Sequence, residues 1–129
     1  MQLGTGKDKQ MTLKECYILL EGDYEDVLHQ MIKEERIRKY VLMFLKDDSY
    51  QNLRKGMEEE DYDLAFLGAH TLKGVCRNLA FTKLGDISSQ MTEYLRNKND
   101  IASAIKYLPN IIEEYEKTIH IIQSLDKIG

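Results

Sequence analysis

Proline is nearly missing from this chain of 129 residues: there is one, Pro109. Asn-Gly and Asp-Gly pairs are absent as well, so the tight-turn signals of β-hairpins are lacking and a strand-rich fold is disfavoured. Cysteine is scarce. Cys16 and Cys76 stand far apart, with no Cys-x-x-Cys or Cys-His spacing, which argues against a zinc site and fits a reducing cytosol. No apolar run approaches the roughly 18 residues a membrane span needs. The opening stretch MQLGTGKDKQ lacks the apolar core of a signal peptide. Positive charge is not in excess either: 18 Lys and Arg face 22 Asp and Glu, a net charge of -4, so the clustered basic footprint of a nucleic-acid binder is not expected. A small acidic domain points to protein partners. These absences predict a cytoplasmic protein that neither crosses membranes nor binds nucleic acid.

What is present describes one globular unit. A hydrophobic content of 43% and a charged content of 31% belong to a folded soluble domain and not to a disordered tail. A chain of this length buries about two-thirds of its unfolded surface without disulfides or metals. Residues 1–10 read as a flexible N-terminal segment and residues 11–129 as a single domain.

Apolar residues recur at intervals of three and four, the helical period. Residues 34–46 place Ile37, Val41, Phe44 and Leu45 on one face. A helix with Leu53 and Met57 inward follows, N-capped by Asp48 or Ser49. A central helix starts at Asp61 or Asp63 and runs to about Ala80. The next carries Leu84, Ile87, Met91 and Leu95, and after the polar break NKND the last carries Leu108, Ile112, Tyr115, Ile119 and Ile122. Pro109 is expected near that helix's first turn, or at a small kink. TLKECYILL and DYEDVLHQMI read as two short helices parted by Gly22. Short connections between amphipathic helices predict an all-α fold: an antiparallel up-down four-helix bundle with short N-terminal flanking helices.

The central helix contains AHTLKGVCRNLAF. On a helical wheel Leu64, Gly68, Leu72, Val75 and Leu79 form the buried face, and Phe66, His70, Lys73, Gly74 and Arg77 fall opposite. His70 is therefore expected in solvent. An exposed imidazole is mostly neutral at neutral pH and offers a ring nitrogen with a free lone pair, a nucleophile that needs no separate base. Lys73, one turn on, can neutralise the oxygens of an anionic group on that ring. Gly74 costs roughly 1 kcal/mol against alanine in a helix interior, and a bare backbone beside His70 would let another protein approach. Phe66 supplies an apolar docking contact and Arg77 extends the positive side. Cys76 points partly sideways on the wheel, as packing, with oxidation as a secondary reading. His29 and His120 read as surface or partly buried residues, and Tyr17, Tyr24, Tyr40 and Tyr62 as core or boundary residues. The run EEEDYD reads as a solvated helix junction.

AHTLKGVCRNLAFTKL, with the helices around it, resembles the histidine-containing phosphotransfer (HPt) domain of two-component phosphorelays, over residues 34–98. The shared pattern is His-x-Leu-Lys-Gly on a helix, preceded by a helix, a short helix and an acidic turn. The resemblance implies that His70 is phosphorylated, that Lys73 stabilises the phosphoryl group and that Gly74 leaves room for the partner. It implies response-regulator receiver domains as partners, a hybrid sensor kinase as a further one, and Mg²⁺ supplied by the receiver instead of a cofactor of this chain. A monomeric carrier without autokinase activity follows. Two positions depart from the family pattern. Ala80 replaces a common glycine ten residues after the histidine, which implies a longer helix or an altered C-cap. Thr92 stands where Gln or Glu often bonds the imidazole; its hydroxyl is the expected substitute, with Gln90 a weaker one.

Two other readings use the same residues. A helical adaptor or inhibitor would bind receivers or kinases through this face without being phosphorylated. A metal or haem bundle would need paired His/Glu ligands, and His29, His70 and His120 have no such spacing.

Overall fold

The computed structural model describes residues 11–128, and their side chains through 125; the expected flexible segment 1–10 lies outside the described residues. Among the described residues every regular element is helical. The helices are α1 Leu13–Leu20, α2 Tyr24–Met31, α3 Glu34–Met43, α4 Ser49–Glu58, α5 Tyr62–Leu79, α6 Thr82–Leu95 and α7 Ile101–Ile128. Short 3-10 turns, Phe44–Lys46 and Arg96–Lys98, follow α3 and α6.

Local chemistry sets where these helices begin. Thr12 opens α1 with a capping box: its hydroxyl accepts from the Glu15 amide at 3.0 Å while its own amide donates to the Glu15 carboxylate at 2.8 Å. Asp23 and Asp61 cap α2 and α5 in the same manner, accepting from the Asp26 and Leu64 amides. Of the two starts expected for the central helix, Asp61 is the one observed. Asp48 occupies the N-cap position of α4 but makes no side-chain cap bond. Asp47 accepts from the Ser49 amide at 2.9 Å instead, an Asx turn one residue earlier than expected.

Helices α4 to α7 pack against their neighbours in antiparallel order. Gly68 on α5 lies against Leu53 and Ser49 on α4, and Gly56 lies against Ala65. Arg77 meets Gly85 near the start of α6, and Arg96 meets Phe66 at its other end. Lys83 reaches Glu114, and Tyr94 meets Tyr107, between α6 and α7. Tyr50 on α4 stacks on Tyr115 of α7 at 3.6 Å, which joins the first helix of this set to the last. Tyr17, Phe44, Leu53, Leu72, Phe81, Leu84, Met91, Ile111, Ile122 and Leu125 fill the interior. Each such side chain contributes roughly 1.5–3 kcal/mol by leaving water.

Three registers differ from the sequence reading. The buried stripe of α5 is Ala65, Gly68, Ala69, Leu72, Cys76 and Leu79, while Leu64 and Val75 lie half-buried at its edge. Small residues at 65, 68 and 69 let α4 come close, so burial follows backbone approach and not side-chain size. On α7 the stripe centres on Ile111, Tyr115, Thr118, Ile122 and Leu125, leaving Leu108, Ile112 and Ile119 half-buried. Helix α7 begins at Ile101, so Pro109 lies inside it and not in its first turn. Pro109 and Ile105, one turn before it, are both exposed, so the carbonyl that the missing N–H leaves free belongs to the solvent side of the helix.

Helix α5 ends at Leu79, and Ala80 adopts the left-handed conformation (φ 56°, ψ 37°) as its C-cap. The Phe81 amide donates to the Cys76 carbonyl at 2.9 Å, as a glycine-type cap would require. An alanine there costs roughly 1 kcal/mol or more, and the helix is not lengthened. The Ala80 carbonyl accepts from the Asp23 amide at 2.8 Å, and the buried Tyr17 hydroxyl donates to the Leu79 carbonyl at 2.7 Å. The α1–α2 corner thereby holds the end of the helix that carries His70.

Candidate functional site

The outer face of α5 presents the predicted residues together. His70, Gly74 and Arg77 are exposed, and Lys73 and Phe66 are half-buried beside them. The Phe66 ring stacks on the imidazole with centroids 5.6 Å apart and planes 10° from parallel. Phe66 is thus a support for the histidine more than a free docking contact. The exposed apolar side chain on this helix is Leu67, 56% exposed, which sequence reasoning passed over.

Gly68 and Gly74 separate cleanly by environment. A Cβ on Gly68 would stand 2.4 Å from the Leu53 backbone nitrogen, so that glycine serves helix packing. A Cβ on Gly74 would meet nothing within 4 Å. No contact inside the described molecule accounts for a residue that weakens the helix by roughly 1 kcal/mol.

Arg77 does not simply extend the positive side. It pairs with Asp86 at 2.9 Å, which offsets its charge. Thr92 requires a correction. It is fully buried, and its hydroxyl donates to the Ser88 carbonyl one turn back at 2.7 Å, so it faces the core and does not orient the imidazole. Gln90 is exposed on the outer side of α6.

Two residues that sequence reasoning missed, Glu93 and Arg96, lie on the same side of α6 as the Phe66 ring. Glu93 accepts from Arg96 Nε at 3.2 Å and Nη2 at 3.0 Å, and the Arg96 guanidinium lies 5.2 Å from the Phe66 ring centroid. The hydrogen bond from Arg96 holds the Glu93 carboxyl below the usual carboxylate range, aided by the charges of Arg96, Lys73 and His70. Phe66 stacks on His70, Arg96 lies over Phe66 and Glu93 is paired with Arg96, so the surroundings of the imidazole are drawn from two antiparallel helices.

The surrounding chemistry is spare. Cys76 is fully buried, not turned sideways, and burial pushes its thiol up, which removes it as an exposed redox group. His29 and His120 are exposed. Tyr17 is core, Tyr24 and Tyr62 are half-buried, and Tyr40 is 41% exposed, outside the boundary expected for it. Among the described residues no group of three or more His, Cys, Asp or Glu converges as a metal site, and no helix is long and apolar enough to cross a membrane. A groove of about 640 Å³, lined by Met31, Tyr40, Met43, Val75 and Leu79 among others, does not include His70. The imidazole stands on an open helix face, where a large partner has access and a small molecule finds no enclosure.

Residues 43–120 match the family model described as Hpt domain. No curated protein and no solved structure matches the chain.

Proposed function

This chain belongs to the Hpt domain family, the histidine phosphotransfer carriers of two-component systems, and on that premise we propose that His70 takes a phosphoryl group from a receiver-domain aspartate and passes it to a second receiver. In the first step the ring nitrogen's lone pair forms a bond to phosphorus while the P–O bond of the aspartyl phosphate breaks, and the receiver carboxylate leaves. The second step is the reverse reaction with another receiver's aspartate. Such transfers run through a loose transition state that asks for alignment and charge neutralisation, with little covalent help.

The single observation that carries this reading is the exposed His70 with open space over Gly74 one turn along. Phe66 limits the swing of the ring, Lys73 offsets phosphoryl charge, and Gly74 lets the receiver's backbone approach. Mg²⁺ comes with the receiver, whose aspartyl phosphate it neutralises. The chain is a carrier and starts no phosphorylation itself.

A phosphotransfer assay from labelled receivers tests this. Wild type takes label and His70→Gln does not, while Lys73→Ala takes it more slowly with unchanged thermal stability. Binding without label in wild type would favour a helical adaptor instead. Equal labelling of the His70→Gln variant would remove His70 from its role.

A further inference from the structure

Arg96 is shared between two surroundings. Its guanidinium is hydrogen-bonded to Glu93 at 3.2 and 3.0 Å, and it also lies 5.2 Å from the ring of Phe66, which stacks on His70. Cation and imidazole therefore share the Phe66 ring as a neighbour. The pair is open to solvent, with Arg96 43% and Glu93 53% exposed. Exposed ion pairs are weak, and a phosphoryl dianion offers a guanidinium more charge and more acceptor oxygens than one carboxylate does. Glu93 lies within the electrostatic reach of both Lys73 and His70, so an anion on the ring would meet like charge there. Just past Arg96, Asn97 and Lys98 take left-handed backbone angles, φ 54° and 56°, a turn that stores strain where the chain leaves α6.

We propose that Glu93 and Arg96 form a counter-charge exchange, in which phosphorylation of His70 draws the Arg96 guanidinium from Glu93 onto the phosphoryl oxygens, so that Glu93 limits the lifetime of the phosphohistidine. The inference rests on His70 being the acceptor. Hydrolysis of a phosphohistidine joins a water oxygen to phosphorus, breaks the P–N bond and returns its electron pair to the ring, which takes a proton. In transfer an aligned receiver makes use of charge neutralisation. Spontaneous hydrolysis has no aligned partner, and there an ion pair to the phosphoryl oxygens stabilises the phosphorylated state and slows the loss. Glu93 opposes this by competing for Arg96.

The test uses the full chain and potassium phosphoramidate as donor, whose P–N bond breaks with release of ammonia as the ring nitrogen takes the phosphoryl group. Decay is followed by phosphorus NMR at neutral pH. Arg96→Gln should shorten the lifetime roughly two- to fivefold, the scale an exposed ion pair supports. Glu93→Gln should lengthen it by a similar factor, and the double variant should decay like Arg96→Gln. In wild type the Arg96 Nε–H resonance should shift on phosphorylation. An unchanged lifetime in Arg96→Gln, a lifetime in Glu93→Gln no longer than wild type, or an unmoved Arg96 resonance overturns the exchange. His70→Gln treated alike should lose the one phosphohistidine resonance whose decay depends on Arg96 and Glu93, whatever signal the exposed His29 and His120 give. Persistence of that resonance in His70→Gln, or its absence in wild type, overturns the acceptor assignment and the exchange with it, which separates that failure from the others.

Discussion

At the scale of single residues, the two helix-interior glycines of α5 give opposite expectations from the same substitution. Gly74→Ala adds a methyl into open space, so thermal or urea unfolding should show a gain of up to about 1 kcal/mol. Its affinity for a receiver should fall, as read by titration calorimetry. A variant that is more stable and binds equally well would remove the access role. Gly68→Ala places a Cβ 2.4 Å from the Leu53 nitrogen and should cost roughly 1–3 kcal/mol through overpacking. The sequence could rank His70, Lys73 and Gly74 together because all three lie on one helix, where the wheel fixes relative positions. The wheel also put Gly68 on the buried face and Gly74 on the outer one, but how tightly Gly68 is packed depends on how near α4 comes. Glu93 and Arg96 escaped for a related reason. They lie on α6, and only the antiparallel register of α5 and α6 brings Arg96 over Phe66. The signal available was an i,i+3 acid–base pair following the histidine at a distance that an antiparallel return would cover.

At the scale of elements, helices were legible from their period and their ends were less so. Asp61 and Thr12 act as caps through chemistry that the sequence displays. The α4 cap moved to Asp47 because the side chain that reaches the first free amide depends on the preceding turn. The break NKND marked the start of α7 correctly, but Pro109 was placed near the first turn because it resembles a first-turn residue, and a long helix tolerates it inside where the freed carbonyl is on the solvent side. The Thr92 assignment failed because counting residues from a histidine specifies no rotation about α6; Thr92 falls on its buried side, and its hydroxyl is satisfied within the helix. The hold on the end of α5 is testable at this scale. Tyr17→Phe removes the donor to the Leu79 carbonyl and leaves a buried acceptor unpaired, which should cost about 1–3 kcal/mol. The loss should appear as a lower urea midpoint with little change in slope. An unchanged midpoint would mean that the α1 contact does not support the site helix.

At the scale of the whole molecule, the interior is almost entirely apolar, and its buried thiols and phenols tie stability to pH. Burial pushes the Cys16 thiol from an ordinary 9.0 to about 11 and raises Cys76 and Tyr17 further. A folded-state pKa above the unfolded one means that the unfolded chain ionises first. Their stabilising contribution is complete below the unfolded pKa and is lost as pH rises above about 9. Urea midpoints at about pH 7 and about pH 10.5 should therefore differ, with the alkaline one lower; equal midpoints would mean that these groups ionise without unfolding. The same apolar interior makes α5 a rigid rail whose free face is available to a partner, and this is what a carrier requires: a firm scaffold and one exposed nucleophile. The most direct measurement of that account reconstitutes the relay from a receiver bearing labelled aspartyl phosphate, this chain, and a second, unlabelled receiver that the first cannot phosphorylate. Label should reach the second receiver only when wild-type chain is present, passing through an acid-labile species on His70. Label that reaches the second receiver equally well through His70→Gln, or that never leaves the first receiver in the presence of wild type, would contradict it.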